Sequence, residues 1–232
     1  MSLFYPAGKK SLLYNRPPTI RSSVIPATYI NGGAYHIGTS SGTTVPLPSG
    51  VTLLAGDICL AVVGQGFVSS PSGSITGNNG SGATWTALTG VVAGPLSYAF
   101  QAFGAVITSN DIANGILVVN QDSAATIGMS FYRGATSFTA YTNIVGNTTT
   151  LTVPSFTLAG GCKGVALITE EHIDSVTPWT LSATGYNFNW SARPWIGVQG
   201  DLDQLAAPSG ASVTINNYYG GADNFALAVG LY

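Results

Sequence analysis

A short segment near residue 40 has the residue types of a serine nucleophile site. Gly38-Thr-Ser-Ser-Gly42 matches the pattern G-x-S-x-G, and His36 stands two residues before it. Enzymes that use this pattern place the serine on a sharp turn between a strand and a helix, and a histidine accepts its proton. The chain is rich in glycine and serine, so the pattern arises easily by chance, and no helix is predicted to follow it. We therefore expect no catalysis here.

Acidic pairs are the second candidate chemistry. Asp201-x-Asp203 and Glu170-Glu171-x-x-Asp174 offer oxygen ligands of the kind that Ca²⁺ prefers, but neither follows the EF-hand pattern. Solvated turns are the favoured interpretation, and a Ca²⁺ site is the alternative. Cys59 and Cys162 stand in apolar runs and are predicted to be buried free thiols rather than a disulfide. The sequence thus predicts no catalytic residue, no metal and no cofactor.

Tryptophan provides the candidate recognition chemistry. The chain has four tryptophans, and because tryptophan buries a large apolar area, a core or a subunit interface is their favoured place. Trp190 and Trp195 also allow a second interpretation, in which their rings stack on sugars. The Gly/Ser/Asn-rich loop over 66–83 would then form the tip of the same recognition surface.

The elements that must position these residues read as strands. Glycine, proline and β-branched residues interrupt nearly every helical window, while short apolar or alternating runs recur between turn sequences. The sequence predicts an all-β fold, a two-sheet antiparallel, jelly-roll-like β-sandwich over 46–232. The predicted strands are Asp57–Gly64, Thr84–Leu88, Ser97–Ile107, Gly115–Asn120, Thr126–Tyr132, Thr149–Val153, Gly164–Glu170, Thr180–Asn187, Ile196–Asp201, Ser212–Asn217 and Phe225–Tyr232.

A weak internal echo accompanies these strands. The apolar strand Asp57–Val63 is matched by Gly164–Ile168, and Ile127–Tyr132 is matched by Phe225–Tyr232. A Trp-Thr pair followed by Tyr-x-Phe also occurs once after Asp57–Val63 and once after Gly164–Ile168. The echo predicts a duplication inside one domain, in which two similar halves of four or five strands close into one two-sheet sandwich.

Charge is scarce and unevenly placed. Only 7% of the 232 residues are charged, against about 25% in ordinary soluble domains. Residues 1–56 carry four bases and no acid, whereas residues 57–232 carry three bases and nine acids. The bases of the first group are Lys9, Lys10, Arg16 and Arg21. Arg133 is the one base in the middle of the chain, and we expect it to pair with a carboxylate or with backbone carbonyls.

The first 45 residues are predicted to form an extended arm. Proline recurs there and biases the chain toward extended backbone, and five aromatic residues argue against a solvated tail. One interpretation is an arm that docks on a neighbouring subunit through Lys9, Lys10, Arg16 and Arg21. The other is an arm that packs along its own domain and donates a strand to it.

The sequence argues against a membrane protein, a secreted protein and a nucleic-acid-binding protein. No apolar run is as long as the roughly 18–20 residues of a membrane helix, and the first residues lack the pattern of a signal peptide. A net charge of −2 with the bases gathered near one end does not indicate a nucleic-acid-binding surface. We therefore expect neither nucleic acid nor membrane as a partner.

The order of short motifs resembles a β-sandwich virion module of tailed bacteriophages. Over residues 50–232 the order is Gly-Asp-Ile-Cys-Leu-Ala-Val-Val, Trp-Thr-Ala-Leu, Ser-Phe-Tyr-Arg-Gly, Val-Pro-Ser-Phe, Gly-Val-Ala-Leu-Ile and Trp-Thr-Leu, with a last strand at the end of the chain. Modules of this kind occur in capsid decoration proteins, head fibres and tail or fibre components.

The resemblance implies a non-enzymatic structural protein of the virion, assembled in the host cytoplasm. Its partners would be other virion proteins and copies of itself. The alternative is an adhesin-like tail module that binds a receptor or a host-surface glycan. The long loop over 66–83 departs from the usual form of the module, which leaves a recognition role open.

Overall fold

The computed structural model describes residues 27–37, 42–65, 74–77, 82–94, 98–119, 125–146, 150–152, 163–170, 180–184, 186–192, 198–204, 212–216 and 223–232. These residues contain one short helix, α1 (Ser109–Asn114), and 17 strands. The strands are β1 (Thr28–Ile37), β2 (Thr43–Val45), β3 (Ile58–Gln65), β4 (Ser74–Gly77), β5 (Thr86–Ala87), β6 (Val92–Ala93), β7 (Ala99–Val106), β8 (Ile116–Val119), β9 (Ala125–Arg133), β10 (Phe138–Gly146), β11 (Thr150–Thr152), β12 (Lys163–Glu170), β13 (Thr180–Thr184), β14 (Tyr186–Ala192), β15 (Val198–Gln204), β16 (Ser212–Asn216) and β17 (Asn224–Leu231).

The fold is an all-β sandwich, as predicted. One large antiparallel sheet has the order β1-β9-β3-β7-β5, with β6 also paired to β7, and the other has the order β10-β17-β12-β15-β14. Two three-stranded sheets, β2-β8-β4 and β11-β16-β13, accompany them. The prediction included the large sheets but not the two small ones.

The chain is duplicated in its topology. We call β1–β9 the first half and β10–β17 the second half. In each half the first strand pairs with the last, the second with the last but one and the third with the last but two. This nested order is that of a jelly roll. The predicted duplication is therefore present, but each half forms a jelly roll with a large and a small sheet of its own.

The register repeats as well. In the first half Ile30 is an extra residue in β1, where the pairing to β9 shifts, and in the second half Tyr141 is an extra residue in β10, where the pairing to β17 shifts. Ile58 and Val165 occupy equivalent positions in β3 and β12. Each lies opposite the β9 or β17 residue that is paired, on its other side, with the residue just before the bulge of β1 or β10. A β-bulge at the same place in both halves supports the equivalence of these strands.

The predicted echo was right for two strands and wrong for the others. β3 corresponds to β12 and β9 to β17, as expected. The two Trp-Thr pairs are not equivalent, because Thr86 lies in β5 and Thr180 in β13, whose counterpart is β4. A two-residue match occurs too easily by chance to fix a register, whereas a run of apolar residues reports burial.

The two halves pack through their large sheets. β3 lies across from β12, β1 from β14 and β9 from β15. Between the sheets is a core of buried side chains, in which the rings of Phe100 and Phe225 are stacked with centroids 5.4 Å apart. Other members of this core are Ile58, Leu60, Val62, Tyr98, Tyr132, Val165, Leu167, Leu227, Val229 and Leu231. Residues from both halves therefore build one core.

The first large sheet is buried on both faces. Its opposite face packs on the sheet β2-β8-β4, with Cys59, Ala61 and Val63 of β3 in a second core. A strand that is covered on both faces reads as a continuous apolar run instead of an alternation. This explains why Ile58–Val63 is apolar without a break.

Two segments outside the list of predicted strands contain strands. Part of the predicted arm, Thr28–Ile37, is a strand paired with β9, and Thr43–Val45 pairs with β8, so residue 45 does not mark the start of the sheets. The alternative, a segment that donates a strand to its own domain, describes these residues. In the predicted loop over 66–83, Ser74–Gly77 is a strand whose Ile75 is buried in the second core.

The helix α1 was not predicted. It begins with a capping box, because the Thr108 hydroxyl caps the backbone N–H of Asp111 and the Asp111 carboxylate accepts from the backbone N–H of Thr108. It ends at Gly115, whose φ of +77° suits glycine and where a Cβ would lie 2.7 Å from the Val45 carbonyl oxygen. In the part of the chain that the structure describes, no helix is long and apolar enough to cross a membrane.

The outer strands of the large sheets are irregular or short. β1 and β10 carry the bulges at Ile30 and Tyr141, and the pairing of β14 with β15 shifts between Phe188 and Trp190. The remaining outer strands, β5 and β6, which both pair with β7, have two residues each. None of these five described strands is a long, regular edge.

Candidate interaction surfaces

Asp57 and Arg133 form an ion pair at one end of the first half. The Arg133 Nε donates to Asp57 Oδ1 at 2.8 Å, and Nη2 donates to Oδ2 at 2.7 Å. Nη2 also donates to the Thr52 carbonyl oxygen at 2.9 Å, and the Leu54 backbone N–H donates to Asp57 Oδ2 at 2.8 Å. The prediction for Arg133 is confirmed, because it has both a carboxylate and a carbonyl partner. Asp57 also accepts from a nearby backbone N–H.

Burial differs between the two partners. The Asp57 side chain is 3% exposed and that of Arg133 is 43% exposed. Hydrogen bonding to Asp57 raises the pKa of Arg133 above its ordinary value, so this guanidinium stays charged. Because the buried carboxylate keeps a two-pronged partner, the pair fixes the turn over 52–57 instead of offering a free charge.

Two further acids are buried inside the fold and accept hydrogen bonds there. Asp111 is fully buried and accepts from the backbone N–H groups of Ala83 and Thr108 and from the Thr108 hydroxyl. Asp223 is fully buried and accepts from the Tyr98 backbone N–H at 3.0 Å. Sequence analysis singled out neither residue, because an isolated aspartate carries no local pattern that reports a distant backbone donor.

Exposed apolar side chains gather at the same end of the first half. Val51, Leu54, Val106 and Ile112, which we call the end surface, are 38–49% exposed. Backbone hydrogen bonds between Gly56 and Ile107 and between Ile107 and Asp57 hold the loop that carries Val51 and Leu54 against the end of β7. α1, which carries Ile112, begins directly after that strand end. The end surface is therefore built on hydrogen-bonded backbone.

An open groove lies beside the ion pair. It has a volume of about 650 Å³ and is lined by Thr28, Tyr29, Ile30, Arg133 and Gly134. The Tyr29 ring meets the Tyr132 ring edge-on at 5.8 Å. The Nζ of Lys163, from the second half, lies 5.7 Å from the centroid of the Tyr132 ring. The groove thus adjoins the joint between the halves.

Most of the predicted site residues lie outside the described residues. This holds for Lys9, Lys10, Arg16, Arg21 and Trp195. Trp190 lies in β14 at the position paired with Asp201 of β15, while its side chain is outside what the structure describes. The structure therefore brings Trp190 and an acidic residue to adjacent strand positions.

The other candidate chemistry is partly described. Asp201 and Asp203 lie within the strand β15, so the solvated turn expected for them is wrong. His36 lies in β1, and residues 38–41 of the serine pattern, as well as Cys162, lie outside the described residues. Cys59 is a buried free thiol, as predicted. No three His, Cys, Asp or Glu residues come together as metal ligands within the described ranges.

Comparison of the chain with protein-family models, with curated proteins and with solved structures gives no match.

Proposed function

We propose that this chain is a non-enzymatic structural protein of a bacteriophage virion, a capsid decoration protein or a tail or fibre component, that acts through contacts between subunits. The motif order supports the phage assignment by resemblance. The all-β fold with one jelly roll in each half is compatible with it. The proposal concerns assembly and involves no reaction.

The segregation of charge carries the proposal. All four bases of residues 1–56 precede the first described residue, whereas all nine acids follow residue 56. Three of the acids, Asp57, Asp111 and Asp223, are buried and hold partners within the fold. Apart from Asp122, the remaining acids belong to the second half. A basic N-terminal segment and an acidic second half on another copy attract each other, which guides a contact between subunits.

Particles provide the direct test. Mass spectrometry of purified virions, combined with antibody labelling in electron microscopy, should find the chain at a fixed copy number and at one place on the particle. Absence of the chain from washed particles would refute the proposal. Reversing Lys9, Lys10, Arg16 and Arg21 to glutamate should lower occupancy, and Lys163→Glu serves as the control for a charge change outside the segment.

One observation favours the alternative of a glycan-binding tail module. Trp190 and Asp201 are paired across β14 and β15, near the edge of the second large sheet. Aromatic and carboxylate residues at neighbouring positions are suited to sugars, because a ring stacks on the sugar face and a carboxylate accepts from hydroxyl groups. A glycan array with the wild type and Trp190→Ala tests this: binding that Trp190→Ala abolishes supports recognition, and no binding to any glycan leaves the structural role.

A further inference from the structure

We propose that Asn31 is a modification site, at which the Gly32 backbone nitrogen attacks the Asn31 carboxamide and converts the residue to aspartate or isoaspartate. The reaction needs no co-reactant other than water. This inference goes beyond the proposed function and does not depend on it, because the reaction is intramolecular and alters the chain itself.

Asn-Gly pairs are sterically well suited to this reaction, because glycine has no Cβ beside the attacking nitrogen. The chain has three of them, Asn31-Gly32, Asn79-Gly80 and Asn114-Gly115. The structure describes the first and the third. Because the two reacting residues are the same in both pairs, a difference in reactivity between the pairs reports how the fold holds them.

The fold brings the two reacting groups of Asn31-Gly32 together. The Gly32 backbone N–H donates to Asn31 Oδ1 at 2.9 Å, and Oδ1 is bonded to Cγ, the carbon that is attacked. Asn31 Nδ2 donates to the Ser49 carbonyl oxygen at 3.3 Å. This second bond fixes the orientation of the carboxamide, because exchanging its oxygen and nitrogen would set donor against donor and acceptor against acceptor. The attacked carbon therefore lies beside the Gly32 nitrogen, with the leaving nitrogen on its other side.

The backbone around Asn31 can adjust to ring closure. β1 is an outer strand of its sheet, and its register with β9 shifts between Tyr29 and Asn31. A β-bulge of this kind interrupts the ladder locally. Gly32 and Gly33 follow directly, and glycine rotates about its backbone bonds more freely than other residues. Asn31 and Gly32 are half-buried, so the site is also in contact with water.

The atoms and charges of the reaction balance with water alone. A hydroxide ion or a water molecule removes the Gly32 N–H proton, and the nitrogen forms a bond to Asn31 Cγ. The Cγ–Nδ2 bond then breaks, ammonia leaves with a proton taken from water, and a succinimide ring remains. Water next adds to either ring carbonyl and breaks its bond to the Gly32 nitrogen. Opening at Cγ gives aspartate, and opening at the Asn31 backbone carbonyl gives isoaspartate.

The Asn114-Gly115 pair is held in the opposite way. The Gly115 N–H donates to the Asp111 carbonyl oxygen at 2.8 Å, at the end of α1. Asn114 Nδ2 donates to the backbone carbonyl oxygen and to Oδ1 of Asn110 at 3.2 and 2.8 Å, so the carboxamide is turned toward the preceding helical turn. Attack here requires that these hydrogen bonds break first. Because one such bond typically changes an equilibrium up to about tenfold, we expect Asn31 to react about tenfold faster than Asn114.

The test follows both residues in the full-length chain at pH 8 by peptide mapping, with fragmentation that separates aspartate from isoaspartate. In the folded chain Asn31 should convert about tenfold faster than Asn114, and in urea the two should convert at similar rates. Isoaspartate should be among the products at Asn31, because direct hydrolysis of the side chain gives aspartate alone. An intact Asn31, a rate no faster than that of Asn114 in the folded chain, or a product without isoaspartate would overturn the inference.

Variants test the nucleophile and the structural consequence. Gly32→Ala places a Cβ beside the attacking nitrogen and should slow conversion of Asn31, while Asn114 keeps its rate. Asn31→Asp imitates one product and replaces the N–H donor to the Ser49 carbonyl by an oxygen, so hydrogen exchange near Ser49 should be faster. Asn114→Asp is the matched control and should leave that exchange unchanged. Unchanged conversion in Gly32→Ala would show that another group attacks, and unchanged exchange in Asn31→Asp would refute the consequence.

Discussion

Asp57 and Arg133 in the first half occupy positions equivalent to Gly164 and Gly230 in the second half. The first pair is a two-pronged ion pair, and the second is a pair of glycines facing each other across β12 and β17. The neighbouring strands pair in the same order in both halves. The second half thus forms the same strand order with glycines at these positions, whereas in the first half the ion pair bonds the turn over 52–57.

The largest effect is expected from a substitution in the core that the two halves share. Phe100→Ala deletes the ring that stacks on Phe225 and should cost ~3–5 kcal/mol of unfolding free energy. Because both halves contribute to this core, we expect one cooperative transition at lower denaturant concentration. Urea unfolding followed by near-ultraviolet circular dichroism measures it.

A matched variant distinguishes the loss of the shared core from the loss of packing within the first half alone. Phe131→Ala opens a cavity in the second core, between the first large sheet and β2-β8-β4. Phe131→Ala leaves the shared core intact, so it should also unfold in one transition. If the wild type and Phe131→Ala unfold in two separate transitions, the halves are independent units, and the shared core does not couple them.

A substitution at Gly94 tests the hydrogen bond between Tyr98 of the first half and Asp223 of the second half, which we call the polar tie. A Cβ at this position would lie 2.3 Å from the carboxylate of Asp223, which holds the Tyr98 backbone N–H. Gly94→Ala must displace that carboxylate and should cost ~1–3 kcal/mol. Gly90→Ala is the control, because nothing lies within 4 Å of its Cβ position. Equal thermal stability of both variants would contradict the tie.

Asp57→Ala tests the role of the ion pair, which only the first half has at these positions. It removes the acceptor of the Leu54 N–H and the partner of Arg133, and should cost ~1–2 kcal/mol. We expect faster hydrogen exchange in the turn over 52–57, with β12 and β17 unchanged. Arg133→Lys keeps the charge and loses the two-pronged geometry, so its effect should be smaller. Faster exchange throughout both halves would show that the ion pair supports the whole fold.

Cys59 gives the smallest expected effect. Burial raises the pKa of its thiol well above the ordinary value of 9.0, and the charge of Asp111 adds to the rise. The neutral thiol of the folded state therefore contributes stability that is full below pH 9.0 and is lost as the pH rises above it. Unfolding free energies of the wild type and Cys59→Ala, measured at pH 7 and pH 10, should converge at the higher pH. A constant difference would contradict this.

Thiol labelling provides a second readout for the same residue. In a Cys162→Ala background, Cys59 should react with a thiol reagent at pH 8 only as fast as the protein opens, because the thiolate is the reactive form and the residue is buried. Labelling at the rate of a free thiol would place Cys59 at an accessible position.

The sequence predicted the parts of the fold that local patterns report. β3 and β17 are apolar along their length because both are buried, and their positions were predicted to within a residue or two. α1 was missed although Thr108-x-x-Asp111 is a capping pattern, because the helix has six residues and no apolar periodicity. β4 was missed because its one buried apolar residue, Ile75, stands in a Gly/Ser/Asn-rich segment.

The interaction surfaces were predictable only in part. The type of partner for Arg133 followed from its isolation in the chain, whereas the identity of Asp57, 76 residues away, depended on the pairing of β3 with β9. The end surface had no sequence signal, because exposed and buried valine or leucine look alike in a sequence. Its recognition required the exposed fractions of the side chains.

The five described outer strands of the large sheets have a consequence for solubility at high local concentration. A long, regular edge strand invites another chain to add to the sheet, and many proteins prevent this by placing lysine there. The chain has three lysines, Lys9, Lys10 and Lys163, and none of them lies in a described outer strand. Lysine therefore does not protect the described edges. The bulges in β1, β10 and β14 and the shortness of β5 interrupt the backbone template instead. These irregularities make strand addition at the edges of the large sheets less favourable.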